Sequence, residues 1–168
     1  MTNISSEKKN KLFLTEGIFI SENVTRDSIF AEVAQQLVEL GLVKENFLDN
    51  LIERENNFPT GLDLSVVHSS LPNIAIPHTE GEFVNTRCVI PVKLMTPVPF
   101  NNMISPSKSL DASFLFMILN NDPESQTNIL SDIMGFLSTT DSKELNKFFD
   151  YTKKEDIYNF LQKNFYLI

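Results

Sequence analysis

The chain has 168 residues, 42% of them hydrophobic, and its 14 Lys and Arg against 22 Asp and Glu give a net charge of −8. This length fits one domain, and the hydrophobic fraction is sufficient for a core. The acidic balance argues against nucleic-acid binding, which depends on clustered Lys and Arg that neutralise phosphates. The single cysteine, Cys88, excludes an internal disulfide and every motif built on a pair of cysteines.

The distribution of apolar residues bears on membrane insertion and export. No stretch approaches the roughly 18 apolar residues of a membrane span. Residues 1–11 lack the apolar run of a signal peptide. We therefore expect a single cytoplasmic domain over residues 1–168 with no direct membrane insertion, in which residues 1–10 are frayed because they are polar and terminal.

The first elements are a short strand and two helices. Residues 17–24 predict the strand, with consecutive apolar side chains at its centre. Thr25 is expected to cap a helix over residues 26–40, whose apolar positions recur at the helical period. Gly41 can end this helix in the left-handed conformation. A second amphipathic helix is predicted over residues 44–55.

The segment over residues 56–78 differs in character from its surroundings. It contains three prolines, both histidines of the protein and one charged residue, Asp63. This composition predicts an ordered, turn-rich loop followed by a short strand over residues 73–76. Pro77 pushes Ile76 towards extended geometry, so we expect His78 just beyond the end of a strand.

The remaining segments predict two more strands and three helices. Residues 88–95 form a strand that Pro91 is expected to place at an edge or a bulge. The apolar run over residues 112–119 is typical of a strand buried on both faces. Helices are predicted over residues 122–137, 142–149 and 154–163. The expected fold class is α/β, with a mixed parallel and antiparallel sheet covered on both faces by helices.

The absence of several sequence motifs limits the kinds of catalytic or binding site that the chain can form. The five glycines lie too far apart for a dinucleotide fingerprint or a P-loop. The spacing of the two histidines and the carboxylates does not support a zinc site, so we expect neither a metal nor a cofactor. The histidines themselves remain, because imidazole titrates near neutrality and can act as a base, a ligand or a nucleophile. A histidine that attacks phosphorus forms a phosphoramidate, which passes the phosphoryl group on readily.

Three residues are candidates for such a site. His78 is the candidate nucleophile, with Arg54 as a guanidinium fork for phosphate oxygens and Thr60 as a neutral donor. The alternatives are a structural histidine that caps a turn and an ordinary solvated cation at a helix end. His68 has no charged neighbour in sequence and is expected to serve in a turn or in packing.

Two segments carry a resemblance to a known family. Residues 54–62 (RENNFPTGL) and 74–80 (IAIPHTE) resemble the signature of enzyme IIA components of the fructose/mannitol superfamily, which belong to the bacterial phosphoenolpyruvate:sugar phosphotransferase system. Residues 97–103 (PVPFNNM) and 122–126 (DPESQ) are similar to the galactitol-type branch of that superfamily. The resemblance covers the chain from about Gly17 onwards and implies a mixed sheet between helices.

The resemblance also implies a mechanism. His78 would accept a phosphoryl group from the histidine-containing phosphocarrier protein and donate it to a cysteine of a cognate enzyme IIB, which serves a membrane enzyme IIC. Arg54 would steady the phosphate charge, and Thr60 would line the site. Mannitol-type members carry a second histidine in the helix after the buried strand, whereas this region contains Gln126 and no histidine. A two-histidine mechanism is therefore not implied.

More than one function is compatible with these residues. The first is phosphoryl transfer for uptake of a sugar or polyol, with galactitol as the candidate named by the branch. The second is a regulatory domain in which phosphorylation of His78 controls a partner protein. The third is a structural or metal-binding domain that keeps the fold without the chemistry. The residues around His78 would be the same in the first two cases, so they do not separate them.

Overall fold

The computed structural model describes residues 11–122 and 126–166, and the predicted fraying of residues 1–10 lies outside these ranges. The strands are β1 (Phe19–Ser21), β2 (Gly61–Leu62), β3 (Asn73–Ala75), β4 (Arg87–Asn101) and β5 (Ser109–Asn120). The helices are α1 (Arg26–Glu39), α2 (Phe47–Asn57), α3 (Gln126–Thr139), α4 (Ser142–Asp150) and α5 (Lys154–Asn164). Within the described ranges, no helix is both long enough and apolar enough to cross a membrane.

The strands form one five-stranded sheet in the order β1-β4-β5-β3-β2. The long strands β4 and β5 make an antiparallel hairpin at its centre. Strand β1 runs parallel to β4, and β3 runs parallel to β5, whereas β2 pairs with β3 in the antiparallel sense. The predicted mixed sheet is confirmed.

Helices cover both faces of the sheet. Successive residues of β5 point to opposite faces and divide between two buried clusters. Phe114, Phe116 and Ile118 pack with apolar side chains of α3, α4 and α5. Leu115 and Met117 pack with those of α1 and α2 on the other face. The prediction of a strand buried on both sides is therefore confirmed.

The helices α1 and α2 follow the sequence signals with one shift. The Thr25 side chain accepts a hydrogen bond from the Ser28 amide at 3.2 Å, and Gly41 has a φ of 76°, so both predicted ends of α1 are confirmed. Helix α2 begins and ends later than predicted. Its expected first residue, Lys44, instead lies outside the helix beside the bridge between Val43 and Val84, and its amide donates to the Phe83 carbonyl at 3.0 Å.

Pro91 does not mark an edge or a bulge, and that prediction was wrong. Strand β4 lies between β1 and β5, and its register shift comes later, after Lys93. The Val89 amide donates to the Leu12 carbonyl at 2.7 Å, on the side of β4 away from β5. Residues two apart direct their N–H groups to the same side, so the donor that Pro91 lacks would also point away from β5. Pairing with β1 begins only at Val92, so the long hairpin is not interrupted.

The pairing of β2 with β3 brings the end of α2 close to His78. The sequence did not predict β2. Gly61 lies opposite Ala75 in the register of this pair. Because the strands are antiparallel, residues that precede Gly61 lie beside residues that follow Ala75. The last turn of α2 is thereby brought close to His78, although more than twenty positions of sequence separate them.

The close approach of β2 to β4 can be tested at Gly61. An added Cβ at this position would lie 2.6 Å from the backbone oxygen of Asn101, which cannot move aside without disturbing the strand. We expect Gly61→Ala to lower the free energy of unfolding by about 1–3 kcal/mol, measured by urea denaturation. Gly17→Ala is the control, because its Cβ would meet side-chain atoms only: the tip of Ile90 at 3.2 Å and the Cβ of Leu14 at 3.4 Å. Equal losses in the two variants would contradict the prediction.

Candidate active site

The backbone that leads to His78 is held from two sides. The Ile76 amide donates to the carbonyl oxygen of Thr60 at 3.2 Å. The Ile118 amide, in β5, donates to the carbonyl oxygen of Pro77 at 3.0 Å. His78 therefore lies at a fixed point just beyond β3, as predicted from the position of Pro77, and its backbone still forms an isolated bridge to Ile118.

The imidazole ring of His78 is partly buried and has a defined hydrogen bond. Its Nδ1 lies 2.9 Å from the carbonyl oxygen of Ile76. A carbonyl oxygen only accepts, so Nδ1 must carry the proton that it donates. In the neutral ring Nε2 then has a free lone pair. The geometry therefore selects the tautomer in which Nε2 can act as a nucleophile.

Electrostatics favour this neutral form. Burial is the main influence that lowers the pKa of His78 below its ordinary value of 6.5. The hydrogen bond to Ile76 raises the pKa and so opposes the effect of burial. The positive charge of Arg54 lowers the pKa further, and the negative charge of Glu80 raises it. The net direction is downward, so at neutral pH the ring is uncharged and its lone pair is available.

The lowered pKa makes the stability of the protein depend on pH. The unfolded chain binds a proton at His78 more readily than the folded protein does, because the folded-state pKa lies below 6.5. The contribution of a neutral His78 to the free energy of unfolding is fully present above about pH 6.5, and it is lost as the pH falls towards the folded-state pKa. We expect urea denaturation between about pH 5 and 8 to show this loss in the wild type and a shallower slope in His78→Gln. The same slope in both proteins would contradict the assignment.

Arg54 lies in the last turn of α2 and is held by two neighbours. Its Nη1 forms an ion pair with Oε2 of Glu80 at 2.5 Å. Its Cζ lies 4.9 Å from the centre of the Phe58 ring, which is 61% exposed. Its Nε is buried and has no acceptor among the residues that the structure describes. The guanidinium thus retains a donor without an acceptor in the described part of the chain, and its positive charge lies close enough to His78 to lower the pKa of that histidine.

Thr60 is buried beneath the site, where it holds the backbone that leads to His78, and its side chain is not exposed to a substrate. Its side chain is 3% exposed, and its Oγ1 donates to Glu55 at 2.9 Å while its amide donates to the same carboxylate at 2.8 Å. The Ile76 amide also lies 3.2 Å from Thr60 Oγ1, which can accept from it. Burial raises the pKa of Glu55, and the two hydrogen bonds from Thr60 oppose that shift. A continuous set of hydrogen bonds therefore links Glu55 through Thr60 and Ile76 to the ring of His78.

The sequence reasoning assigned no role to Glu55 or Glu80. Both belong to the two segments that carry the family resemblance, one directly after Arg54 and the other two residues after His78. This adjacency was the only available signal, because a glutamate in a loop or a helix is usually a solvated charge. The pairing of β2 with β3 brings Glu80 beside Arg54, whereas Glu55 is held by Thr60 five positions further along.

The other residues considered in sequence lie elsewhere. The Nδ1 of His68 accepts from the Ser70 amide at 3.2 Å and lies 2.7 Å from Ser70 Oγ, in a turn. Asn146 of α4 donates to that same hydroxyl at 2.8 Å. Gln126 begins α3, and its side chain lies outside the described part of the chain, as do residues 123–125.

The arrangement around His78 suits attack on an electron-poor centre that carries negative charge. Nε2 supplies the lone pair, and Arg54 supplies positive charge and N–H donors for the oxygens of that centre. Across residues 11–122 and 126–166, no group of three or more His, Cys, Asp or Glu side chains is arranged to hold a metal ion.

The fold is that of an enzyme IIA domain. The crystal structure of IIA mannitol from Escherichia coli superposes with a TM-score of 0.67 at 20% identity, over 89% of this chain and 98% of that one. The NMR structure of the complex of enzyme IIA mannitol and phosphorylated enzyme IIB mannitol, also from Escherichia coli, superposes with a TM-score of 0.67 at 20% identity, over 89% of this chain and 96% of that one.

Sequence comparison identifies the family. The family model for the phosphoenolpyruvate-dependent sugar phosphotransferase system, EIIA 2, matches residues 11–164, and the chain belongs to this family. The galactitol-specific EIIA component from Escherichia coli K12 is 26% identical over 133 residues, which are 79% of this chain and 83% of that protein. The predicted membership and its galactitol-type branch are confirmed, and the protein is a phosphotransferase component of a sugar phosphotransferase system.

Proposed function

We propose that the protein is a cytoplasmic phosphoryl carrier that accepts its group on Nε2 of His78 from the histidine-containing phosphocarrier protein. It then donates the group to a cysteine of a cognate enzyme IIB, which works with a membrane enzyme IIC in the uptake and phosphorylation of a sugar or polyol. The observation that carries this proposal is the hydrogen bond of 2.9 Å between Nδ1 of His78 and the carbonyl oxygen of Ile76. It keeps the proton of the neutral ring on Nδ1 and leaves the lone pair of Nε2 free, without assistance from a second histidine.

The transfer chemistry needs no cofactor. The lone pair of Nε2 forms a bond to phosphorus while the P–N bond of the donor phosphohistidine breaks, and that electron pair returns to the donor ring. In the second step the cysteine thiolate of enzyme IIB forms the S–P bond. The Nε2–P bond of His78 then breaks, and its electron pair returns to Nε2. The proton on Nδ1 stays in place throughout, shared with Ile76.

Arg54 and the bonds behind His78 have separate tasks in this proposal. A phosphoryl group brings about two negative charges to a protein that is already acidic. Arg54 offsets part of that charge with its guanidinium, whose buried Nε has no acceptor among the described residues. Thr60 and Glu55 orient the backbone of Ile76, whose carbonyl oxygen fixes the tautomer of His78.

Two comparisons support the choice of partners and substrate. The related fold of IIA mannitol is found in a complex with phosphorylated enzyme IIB, which supports a cognate enzyme IIB as the acceptor here. The sequence relatives are galactitol-specific components, which supports transport of a polyol such as galactitol over a regulatory role.

The proposal is tested by following the phosphoryl group. The wild-type protein is incubated with phosphoenolpyruvate, enzyme I and the phosphocarrier protein, and its intact mass is measured before and after addition of a galactitol-type enzyme IIB. We expect the addition of one acid-labile phosphoryl group, followed by its loss to enzyme IIB. No added mass would contradict the carrier role. A stable phosphorylated protein that donates to no enzyme IIB would instead support the regulatory function.

A further inference from the structure

Glu80 forms the closest charged contact of Arg54. Its Oε2 lies 2.5 Å from Nη1 of Arg54, and its Oε1 accepts a long hydrogen bond of 3.5 Å from Asn50. Both charged side chains are accessible, with 33% of Arg54 and 46% of Glu80 exposed. The negative charge of Glu80 also acts on His78, in the direction opposite to that of Arg54. The two side chains therefore form an ion pair within the electrostatic range of the histidine.

This ion pair changes what an incoming phosphoryl group meets. A guanidinium binds a carboxylate and a phosphate with the same N–H donors and the same positive charge. The ring of Phe58 covers one face of the guanidinium, so anions must approach its edge. One edge donor, Nη1, is already held by Glu80. A phosphoryl group on His78 therefore interacts with a cation whose charge is partly offset.

A carrier benefits from this offset. It must accept a group from one protein and release it to another, so excessive stabilisation of the phosphohistidine would slow the second transfer. An arginine without a counter-charge would favour retention of the group. A carboxylate that shares the arginine makes retention weaker, while its hydrogen bond keeps the guanidinium in position.

On the basis of the carrier role proposed above for His78, we propose that Glu80 is a positioning residue that competes with the phosphoryl group for Arg54. Glu80 thereby lowers the stability of the phosphorylated protein and keeps the group transferable. Its carboxylate orients Arg54 before phosphorylation and gives up part of that interaction afterwards.

The test compares Glu80→Gln with Glu82→Gln. Glutamine can still accept a hydrogen bond from Arg54 but lacks the charge. Glu82 is exposed and lies two residues further along, so its variant makes the same change in net charge. The equilibrium constant for phosphoryl exchange with the phosphocarrier protein is measured by intact mass. We expect Glu80→Gln to shift this equilibrium constant about two- to fivefold towards the phosphorylated protein, because a partly exposed ion pair contributes an interaction of that size. We also expect the variant to transfer its phosphoryl group to enzyme IIB more slowly.

Two further readouts separate this role from a merely structural one. The pKa of His78, followed by NMR, is expected to fall in Glu80→Gln and to stay unchanged in Glu82→Gln. In an Arg54→Gln background, the effect of Glu80→Gln on the exchange constant is expected to shrink to that of Glu82→Gln, because the competition requires the arginine.

Specific outcomes overturn the inference. An exchange constant in Glu80→Gln that equals the wild-type value, or that moves towards the unphosphorylated protein, excludes competition. An undiminished effect in the Arg54→Gln background excludes action through Arg54. In both cases the wild type still becomes phosphorylated, so the carrier role itself stands. Absence of phosphorylation in the wild type would instead refute the carrier role, and this inference with it.

Discussion

Replacement of His78 by alanine is expected to abolish phosphorylation by the phosphocarrier protein completely. No other group near Arg54 offers a neutral imidazole lone pair, because the other histidine, His68, lies in a turn with Ser70. Intact mass after incubation with phosphoenolpyruvate, enzyme I and the phosphocarrier protein measures the effect directly. The wild type gains one acid-labile group, and His78→Ala gains none.

His68→Ala is the matched control for this experiment. It removes the remaining imidazole of the protein and is expected to leave phosphorylation at the wild-type level. His78→Gln serves as a second variant, because its amide can still donate to the Ile76 carbonyl and preserve the local backbone. A phosphoryl group that persists in both His78 variants and disappears in His68→Ala would transfer the role to His68.

Replacement of Arg54 by alanine is expected to slow phosphoryl transfer by about 100-fold, the scale found when one preorganised donor to developing negative charge is removed. The guanidinium is the positively charged group that acts on His78, and the phosphoryl group adds about two negative charges beside it. Rapid-quench measurement of transfer from the phosphocarrier protein gives the rate. Urea denaturation should show a much smaller effect on stability, since Arg54 and its partner Glu80 are both partly exposed.

Arg26→Ala is the matched control for Arg54. Arg26 also pairs with an acidic side chain, Asp27, and its Cζ also lies near a phenylalanine ring, that of Phe30. Arg26→Ala therefore removes a similar set of contacts, together with a hydrogen bond of 2.8 Å to Asn56. The charge of Arg26 acts on Glu55. The charges that act on His78 are instead those of Arg54 and Glu80, so transfer at nearly the wild-type rate is expected. Arg54→Lys keeps the charge and loses the planar fork, so its rate should fall between those of the wild type and Arg54→Ala. Equal rates for Arg54→Ala and the wild type would refute the role of this arginine.

Most elements of the fold were predictable from local sequence. Thr25 and Gly41 mark the ends of α1 because capping and left-handed geometry depend on the residues at those positions alone. The continuous apolar run in β5 predicts burial on both faces for a similar reason. Strand β2 was not predicted, because two residues carry no periodicity and are recognised as a strand only from their pairing with β3.

Pro91 shows where local reasoning failed. A proline within a strand lacks one donor, and this led to the prediction of an edge position for Pro91. The cost of the missing donor depends on whether a neighbouring strand would have accepted from it. Strand β1 is short and pairs only from Val92 onwards, so β4 accommodates the proline at the centre of the sheet.

The candidate site was likewise predictable in part from the sequence and in part only from the tertiary structure. The sequence by itself determined the fold class, the family and the candidates His78, Arg54 and Thr60, because residue type, spacing and strand-end chemistry are local properties. The tertiary structure alone decided which nitrogen of His78 carries the proton, that Thr60 is buried against Glu55, and that Glu80 pairs with Arg54. The pair of Arg54 with Glu80 depends on the antiparallel pairing of β2 with β3, whose register brings the end of α2 beside the residues that follow β3. The other two contacts join residues close in sequence, and the hydrogen bond of the Ile76 amide to Thr60 connects them across this pairing. Such register comes from packing across the sheet, a long-range effect that no single stretch of sequence encodes.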